Sequence, residues 1–379
     1  MMAKTQPSDA KQENTVTHSR RALLKMGAMA GALASLVSGA GDAAAGAAEP
    51  QESRAAEPNR ALNYPSEAYN GPWTNLRAVK EKRVIDFHTH CWETPYQGKT
   101  YADERAAHNE EDFKDYTEDL ISSMDRLGVA QAALSPAFIP WEKYNSTSFA
   151  AHPDRFIKMT SVEVGDMTSE NYIERFDPVE SARATREQVA QGCRGIGEDG
   201  GNPLQSRGFG KYSVKDLKPY VDVILEYDLP VLIHCGWGVT TNVFAKNYSA
   251  SWHWVEQMGD LASAYPDMKI IIGHTGGALA RPDGYEALRL AFSFDNTYCE
   301  MSKAPVEIVN AAVKGIGAER VLFGSDFNRP EGKTYGPLNQ HFVFQQWYNL
   351  NTIANADLTE YERDLILYKN ARRLFKLDA

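Results

Sequence analysis

The sequence is poor in cysteine, and no two of its cysteines form a CxxC pair. A zinc site built from thiolates is therefore not expected, because such sites use closely spaced cysteine pairs. Three of the cysteines lie at or beside predicted strand ends, where a small buried side chain explains them, and we expect no required disulfide. The four residues are Cys91, Cys193, Cys235 and Cys299.

Positive charge is also in short supply. The 379 residues include 40 Lys and Arg against 50 Asp and Glu, which gives a net charge of −10. Nucleic acid is not expected as a partner, since phosphate backbones are bound by strongly basic faces. A small anionic organic substrate is still allowed, because a few local Lys or Arg side chains can hold one.

The chain lacks an apolar run long enough to span a bilayer, which takes about 20 residues, so stable membrane insertion is not expected. A short apolar run at residues 26–37 follows Arg20 and Arg21 and precedes small residues at 43–47. This order is typical of a twin-arginine-type signal peptide, which we assign to residues 1–48. The sequence thus predicts export to the periplasm. Residues 49–82 are predicted to be a polar linker or N-terminal extension.

Residues 83–379 alternate short apolar runs with longer amphipathic stretches. Strands that alternate with helices indicate parallel pairing through crossovers, and eight such units match a closed (β/α)8 TIM barrel. A doubly wound open sheet is the alternative, but it gives no reason for the polar residues described next. The predicted strands cover 83–90, 130–136, 156–164, 193–198, 230–235, 269–274, 297–301 and 320–325. The predicted helices cover 112–127, 178–191, 214–227, 252–265, 305–316 and 359–375.

Histidine and acidic residues fall at the carboxyl ends of these strands, where barrel enzymes build their active sites. Strand side chains alternate between faces, so Asp86, His88 and His90 point the same way. Each residue alone is weak evidence, because a histidine can cap a backbone group and an aspartate can cap a helix. Together, imidazoles and one carboxylate are typical of a catalytic site for zinc or a similar ion. The set is His88 and His90 on the first strand, His234 on the fifth, His274 on the sixth and Asp326 after the eighth.

The segments around these residues resemble one family. Asp-x-His-x-His on the first strand, together with LPVLIHCG, IIIGHTGG and VLFGSDF, is similar to the amidohydrolase superfamily. Within it, the segments resemble the aminocarboxymuconate-semialdehyde-decarboxylase-like branch, called amidohydrolase-2. The resemblance covers about residues 83–375.

The resemblance implies that one divalent metal is held by His88, His90, His234 and Asp326, and zinc is expected because the ligands are mainly imidazoles. It also implies that His274 is a catalytic acid/base or a polarising group instead of a ligand. The fourth strand carries no lysine, whereas many two-metal relatives have a carboxylated lysine there, and this favours a single metal. Glu198 on that strand is left open as a ligand, a bridge or an outer hydrogen-bonding partner.

The implied reaction is hydrolysis by metal-activated water, in which Asp326 holds and deprotonates the water while His274 stabilises the oxyanion or protonates the leaving group. Nonoxidative decarboxylases of the same branch use nearly the same residues. We predict opening of an anionic sulfo- or carboxymuconolactone-like lactone, as in sulfomuconolactone hydrolases. Decarboxylation of an aromatic or unsaturated acid is the alternative. A metal-dependent periplasmic binding protein is a third reading, which the complete acid/base equipment disfavours.

Basic and aromatic residues near the predicted strand ends suggest what the substrate is like. Each is most simply a solvated charge or a loop-packing group, but several basic residues at the mouth of an acidic protein favour an anionic substrate. Aromatic residues such as Trp92 and Tyr248 could pack against a planar ring. The oligomeric state is left open, and a homo-oligomer is allowed. The predicted substrate-binding residues are Arg194, Arg207, Trp237, Lys246, Lys303 and Arg329.

Overall fold

The computed structural model describes residues 71–93, 114–135, 141–160, 177–198, 213–233, 258–275, 282–327 and 346–378. All of them lie in one compact unit, Arg60–Ala379. Some predictions therefore fall outside the described residues. These are the signal peptide at 1–48, most of the linker, the ligand His234, and the substrate-binding residues Arg207, Trp237, Lys246 and Arg329.

Eight parallel strands form one sheet in which each strand neighbours the next barrel strand along the chain. Apolar side chains fill these strands because both faces are covered, one by the barrel interior and one by helices. The strands are β1 (Val84–Thr89), β2 (Val129–Leu134), β3 (Phe156–Thr160), β4 (Gly195–Ile196), β5 (Pro230–Ile233), β6 (Lys269–Ile272), β7 (Thr297–Glu300) and β8 (Val321–Leu322).

The sheet closes on itself where β1 meets the segment that follows β8. The Asp326 N–H donates to the His88 carbonyl at 2.8 Å, and the His90 N–H donates to the Phe327 carbonyl at 2.6 Å. A parallel bridge joins Thr89 to Phe327. This closure confirms the predicted (β/α)8 barrel and excludes the open-sheet alternative, because an open sheet leaves its two edge strands unpaired.

Helices follow most of the strands, and their ends carry ordinary capping signals. The Asp177 side chain accepts the backbone N–H groups of Val179 and Glu180 at 2.8 and 3.1 Å, and a proline occupies the first turn of the helix. The described helices of six or more residues are α1 (Thr117–Leu127), α2 (Trp141–Ser146), α3 (Pro178–Ala190), α4 (Lys218–Tyr227), α5 (Pro282–Ser293), α6 (Val306–Ile316), α7 (Gln346–Asn355) and α8 (Asn370–Phe375). Residues 258–264 are also helical. The sequence prediction missed α2, α5 and α7.

The last part of the predicted N-terminal extension is structured. Residues 71–82 are packed onto the barrel unit, with a short 3-10 turn at Pro72–Asn75 and a helical turn at Arg77–Lys80. Trp73 is buried, its backbone N–H donates to the Asn351 side chain at 3.3 Å, and Arg77 pairs with the buried Asp364. These residues are part of the fold because their apolar side chains have a partner in α7.

Two smaller observations bear on the sequence predictions. Cys91, Cys193 and Cys299 are buried as free thiols, and burial raises the pKa of Cys91 and of Cys299 to about 12. Across the part of the chain that the structure describes, no helix combines the length and the apolar character needed to cross a membrane.

Candidate metal site

Four buried side chains meet at the carboxyl ends of the barrel strands. Each offers one ligand atom, and these atoms all lie within 4.8 Å of one another. The four are His88 on β1, Glu198 after β4, His274 after β6 and Asp326 after β8. His90, also on the β1 side of the barrel, brings its Nε2 to 3.2 Å from that of His88. The convergence follows from the closed barrel, which aims the ends of distant strands at one point.

Three residues beside this point have left-handed backbones. The φ angles of His274, Lys303 and Asp326 are +53°, +62° and +51°. Residues other than glycine rarely adopt this conformation, which costs of order 1–3 kcal/mol. The other non-glycine residues with positive φ among those described are Lys82, Asp228 and Lys376, which follow helices. Strained residues that end three neighbouring strands indicate a functional site.

The histidine tautomers are set by what each Nδ1 atom contacts. His90 Nδ1 lies 3.0 Å from the Ser135 carbonyl oxygen, and His88 Nδ1 lies 3.2 Å from the Glu300 carboxylate. Both partners accept and cannot donate, so each Nδ1 carries the proton. The Nε2 atoms of His88 and His90 are left to face the cluster as potential metal ligands.

The centre of the cluster contains many acceptors at short range. His88 Nε2 is 2.5 Å from Glu198 Oε2, His274 Nε2 is 3.1 Å from Glu198 Oε1, and His90 Nε2 is 3.3 Å from Asp326 Oδ1. Lone pairs and carboxylate oxygens repel one another unless protons or a cation lie between them. Mixed imidazole and carboxylate donors suit a divalent ion of the zinc or manganese type, and the residues present therefore fit a metal.

The pKa values of the two β1 histidines are both raised, because the nearby carboxylates favour positive charge at the centre of the cluster. Burial alone would lower the pKa of His88, but the charge of Glu198 and its hydrogen bond raise it well above the usual value. Burial likewise opposes protonation of His90, but hydrogen bonds to Asp326 and Glu198 raise its pKa to about 9. Protons on these rings occupy the place that a cation would take.

His274 and Asp326 are shifted in the opposite direction. Burial, together with the charge of Lys303, lowers the pKa of His274 to about 4, so the ring is neutral at neutral pH. Burial would raise the pKa of Asp326, but Lys303 and the nearby histidines hold it well below its usual range. Lys303 Nζ contacts Asp326 Oδ2, and both side chains are buried. Asp326 therefore stays ionised while His274 can accept a proton.

Two of the predicted substrate-binding residues, Lys303 and Arg194, lie in the described part of the chain, and only Lys303 lies at the cluster. Lys303 lies inside the cluster, as its contact with Asp326 shows. Arg194 does not, because it precedes β4 and its guanidinium donates to the carbonyls of Phe375 and Lys376 at 3.1 and 3.2 Å. That is the opposite end of the strand from Glu198, so we withdraw Arg194 from the set.

The sequence analysis missed Glu300 and Ser302. Glu300 ends β7, is fully buried and accepts a hydrogen bond from His88. Burial would raise the pKa of Glu300, but His88 outweighs that effect and lowers it. The signal available in the sequence was an acidic residue near the end of a predicted strand, with Ser302 and Lys303 close behind it.

Asp86, predicted to share a face with the β1 histidines, supports the site without entering it. Its Oδ2 accepts the Ser325 hydroxyl at 2.6 Å and the Gln346 amide at 2.8 Å, and its Oδ1 accepts the Ser325 N–H at 2.9 Å. Burial raises the pKa of Asp86 to about 6. The carboxylate thus fixes the segment before Asp326 against β1.

Comparison with known proteins places the chain among barrel enzymes. A family model described as "Amidohydrolase" matches residues 85–377. No curated protein sequence is significantly similar to the chain.

Several solved structures have a similar fold. One is a 5-carboxyvanillate decarboxylase from Novosphingobium aromaticivorans with bound manganese and a nitrobenzoic acid (16% identity, 79% of this chain and 99% of that chain, TM-score 0.53). Another is a 5-carboxyvanillate decarboxylase from Sphingomonas paucimobilis (16%, 78% and 99%, 0.51). A third is a 4-oxalomesaconate hydratase from Rhodopseudomonas palustris (17%, 78% and 96%, 0.51). At these identities the likeness supports the barrel fold alone.

Proposed function

Because the chain belongs to the amidohydrolase family, we propose that it is a metal-dependent hydrolase that opens a small anionic lactone. The observation that carries the proposal is the buried Lys303 beside Asp326, next to a neutral His274 and a cluster of metal-type ligands. The buried ammonium of Lys303 can bind an anionic group of the substrate. A sulfo- or carboxymuconolactone-like compound fits that requirement.

One divalent ion would be held by His88, His90 and Asp326, with His234 as the remaining ligand that the family resemblance implies. Glu198 points its carboxylate at three imidazoles, at 2.5 Å, 3.1 Å and 3.5 Å, and we add it to the ligand set in preference to an outer role. Zinc is our choice because imidazoles dominate. A bound divalent ion would supply Lewis acidity and a water of lowered pKa.

The proton transfers are assigned to His274. Asp326 is paired with Lys303 and would also coordinate the ion, whereas the His274 ring is neutral, so His274 Nε2 would accept the proton of the attacking water. The same atom can return that proton to the ring oxygen that leaves. Asp326, held ionised by Lys303, orients the water by accepting a hydrogen bond. This assignment moves the base from Asp326, where the sequence analysis put it, to His274.

Lys303 gives the site its preference for anions. Lys303 is only 3% exposed and contacts Asp326 within the cluster, so an anion that binds it loses little binding energy to solvent screening. A lysine ammonium has three N–H donors, so Lys303 can keep its contact with Asp326 Oδ2 and still donate to a carboxylate or sulfonate of the substrate. Because Lys303 lies beside the proposed reacting groups, an anion bound to it would lie close to the lactone carbonyl.

The same residues would also serve a decarboxylase, and the deep burial of the site favours that second candidate, because a desolvated carboxylate is destabilised relative to its product. In that reaction Lys303 would hold the departing carboxylate and His274 would deliver a proton to the carbon. A metal-dependent binding protein would need none of this proton-transfer equipment.

The deciding experiment incubates the purified protein with carboxylated and sulfonated muconolactones in ¹⁸O-water. We expect one label in the new carboxylate, acid release in a pH-stat and no carbon dioxide. Carbon dioxide from a hydroxybenzoate-type or semialdehyde substrate, with the lactones untouched, would establish the decarboxylase instead. Binding of the lactones without turnover would point to a binding protein.

We also propose that the enzyme acts in the periplasm after twin-arginine export. The support is the order of Arg20 and Arg21, the apolar run and the small residues in the sequence. That route carries folded proteins, which suits an enzyme that acquires its metal before export.

A further inference from the structure

A second buried carboxylate lies behind the cluster and contacts two of its histidines. Glu300 is 0% exposed. Its Oε1 accepts the Ser302 N–H at 2.6 Å. Its Oε2 accepts the Ser302 hydroxyl at 2.8 Å, the backbone N–H of His274 at 3.0 Å and the His88 Nδ1–H at 3.2 Å. Glu300 is not among the clustered ligand residues, so these contacts orient neighbouring groups and do not coordinate an ion.

We propose that Glu300 is a positioning residue that sets the tautomers of two functional histidines at once, His88 directly and His274 through Ser302. The inference rests on the proposed function for its catalytic meaning, because His88 is there a ligand and His274 the proton carrier. The positions of the ring protons themselves do not depend on which reaction the site catalyses.

The effect on His88 is direct. An ionised carboxylate accepts hydrogen bonds and cannot donate them, so the proton of the neutral ring is held on Nδ1. Nε2 then presents its lone pair toward Glu198 and the other ligand atoms. Outer partners of this kind orient a ligand ring and raise its basicity, and their loss commonly weakens metal binding 10- to 100-fold.

The effect on His274 passes through one hydroxyl. Ser302 has a single O–H, which it donates to Glu300, so its oxygen has only lone pairs to offer the His274 ring. His274 Nδ1 lies 2.7 Å from that oxygen and must therefore carry the ring proton. Nε2 is left unprotonated, which is the form that an acceptor of the water proton requires.

The neighbouring strand leaves room for this arrangement. A Cβ atom on Gly324 would lie 2.1 Å from Glu300 Oε1 and 2.9 Å from the His88 Cβ. A glycine at this position, between β8 and Asp326, allows the carboxylate to sit between β1, β7 and β8. The carboxylate thus reaches both histidines from one fixed position.

The test uses full-length protein labelled with ¹⁵N-histidine and reads the ring protonation from two-bond ¹H–¹⁵N spectra. In protein saturated with zinc at about pH 8 we expect hydrogen-bonded Nδ1 protons on both His88 and His274. Glu300→Gln should move His274 toward the Nε2–H tautomer, and it should weaken zinc binding 10- to 100-fold in chelator competition.

Two further variants make the result specific. Ser302→Ala should change the His274 tautomer while keeping the zinc affinity of the wild-type protein, because His88 retains Glu300. Asp364→Asn is the matched control: it also removes a buried carboxylate, paired with Arg77, but touches no imidazole, so it should change neither signal.

A folded Glu300→Gln protein with unchanged spectra and zinc affinity would overturn the proposal. So would an unchanged His274 tautomer in Ser302→Ala, and this arm decides even if Glu300→Gln fails to fold. None of these readouts needs turnover, so a protein that hydrolyses no lactone could still pass them. Such a result would remove the proposed function and leave the positioning role standing.

Discussion

Lys303 and Asp326 follow neighbouring strands β7 and β8, both adopt left-handed backbones, and their side chains pair inside the barrel mouth. Asp326 Oδ2 contacts Lys303 and lies 3.9 Å from His274 Nε2, while Oδ1 faces His88 at 3.6 Å and His90 at 3.3 Å. Lys303 thus lies on the side of Oδ2, and the two β1 histidines lie on the side of Oδ1. This division allows Asp326 to bind a metal without giving up Lys303.

Removing the charge of Lys303 should impair anion binding. For Lys303→Met we expect KM for an anionic lactone to rise on the order of 10- to 100-fold, the equivalent of one charge-assisted hydrogen bond. Steady-state kinetics with charged and neutral lactones would measure the difference. Arg194→Met is the matched control, since it removes a cation at the other end of β4. Equal effects of the two variants, or an equal effect on neutral substrates, would contradict the role.

The metal site should depend on the β1 histidines. His88→Ala and His90→Ala should each lose most of the bound ion and the activity, because each removes an Nε2 ligand. Elemental analysis of purified protein should find about one divalent ion per wild-type chain. Glu198→Gln should lower metal affinity if the carboxylate is a ligand. Two tightly held ions per wild-type chain would refute the single-metal assignment.

Substitution of His274 should affect the rate without affecting metal binding. His274→Asn should retain the metal yet lose on the order of 10²–10⁴ in kcat, because the amide cannot carry the proton. Metal content and kcat measured on the same preparation would show this. If the variant loses the ion as well, His274 is a further ligand and the proton-transfer assignment fails.

The metal-free protein should lose stability as the pH rises. The pKa of His90 in the folded state is about 9, above the unfolded value of 6.5. Its contribution to the free energy of unfolding is therefore fully present below pH 6.5 and is lost as the pH rises through 9. We expect a loss on the order of 1–3 kcal/mol over this interval. Thermal unfolding with a chelator would reveal it. Zinc-loaded protein should lack the decline, and a metal-free protein that grows more stable over the same range would contradict the assignment.

Export should depend on the paired arginines. Replacing Arg20 and Arg21 together by lysine should leave precursor in the cytoplasm, since the twin-arginine route reads both residues. Fractionation of cells that express the two forms would detect the change. Normal periplasmic accumulation of the double variant would remove the export proposal without affecting the barrel or its site.

Much of the barrel was predictable because its signals are local. A run of apolar residues such as 269–272 needs only its neighbours to favour a strand, and the strand ends follow from where the run stops. His88, His274 and Asp326 were found in this way. The signals for α5 were weaker, because the helix lies close to a glycine-rich segment, and it was missed.

The buried end of the N-terminal extension is a feature that local sequence patterns do not reveal. Residues 71–82 resemble the polar chain before them in sequence, yet Trp73 is buried and contacts Asn351. In sequence, a tryptophan in a linker looks the same as one that packs near α7. Burial is a property of the pair, and the sequence lists its members 278 positions apart.

The sequence by itself determined that imidazoles and a carboxylate end the strands of a parallel barrel, because strand periodicity and strand ends are encoded over a few residues. Only the tertiary structure decided which of them meet. Arg194 and Lys303 both lie near predicted strand ends, but barrel closure buries Lys303 beside Asp326 and places Arg194 against Phe375. Glu300 could not be assigned to His88 from sequence, because their 3.2 Å contact depends on register across strands 212 residues apart. Register is fixed by the packing of the whole barrel, and no local pattern encodes it.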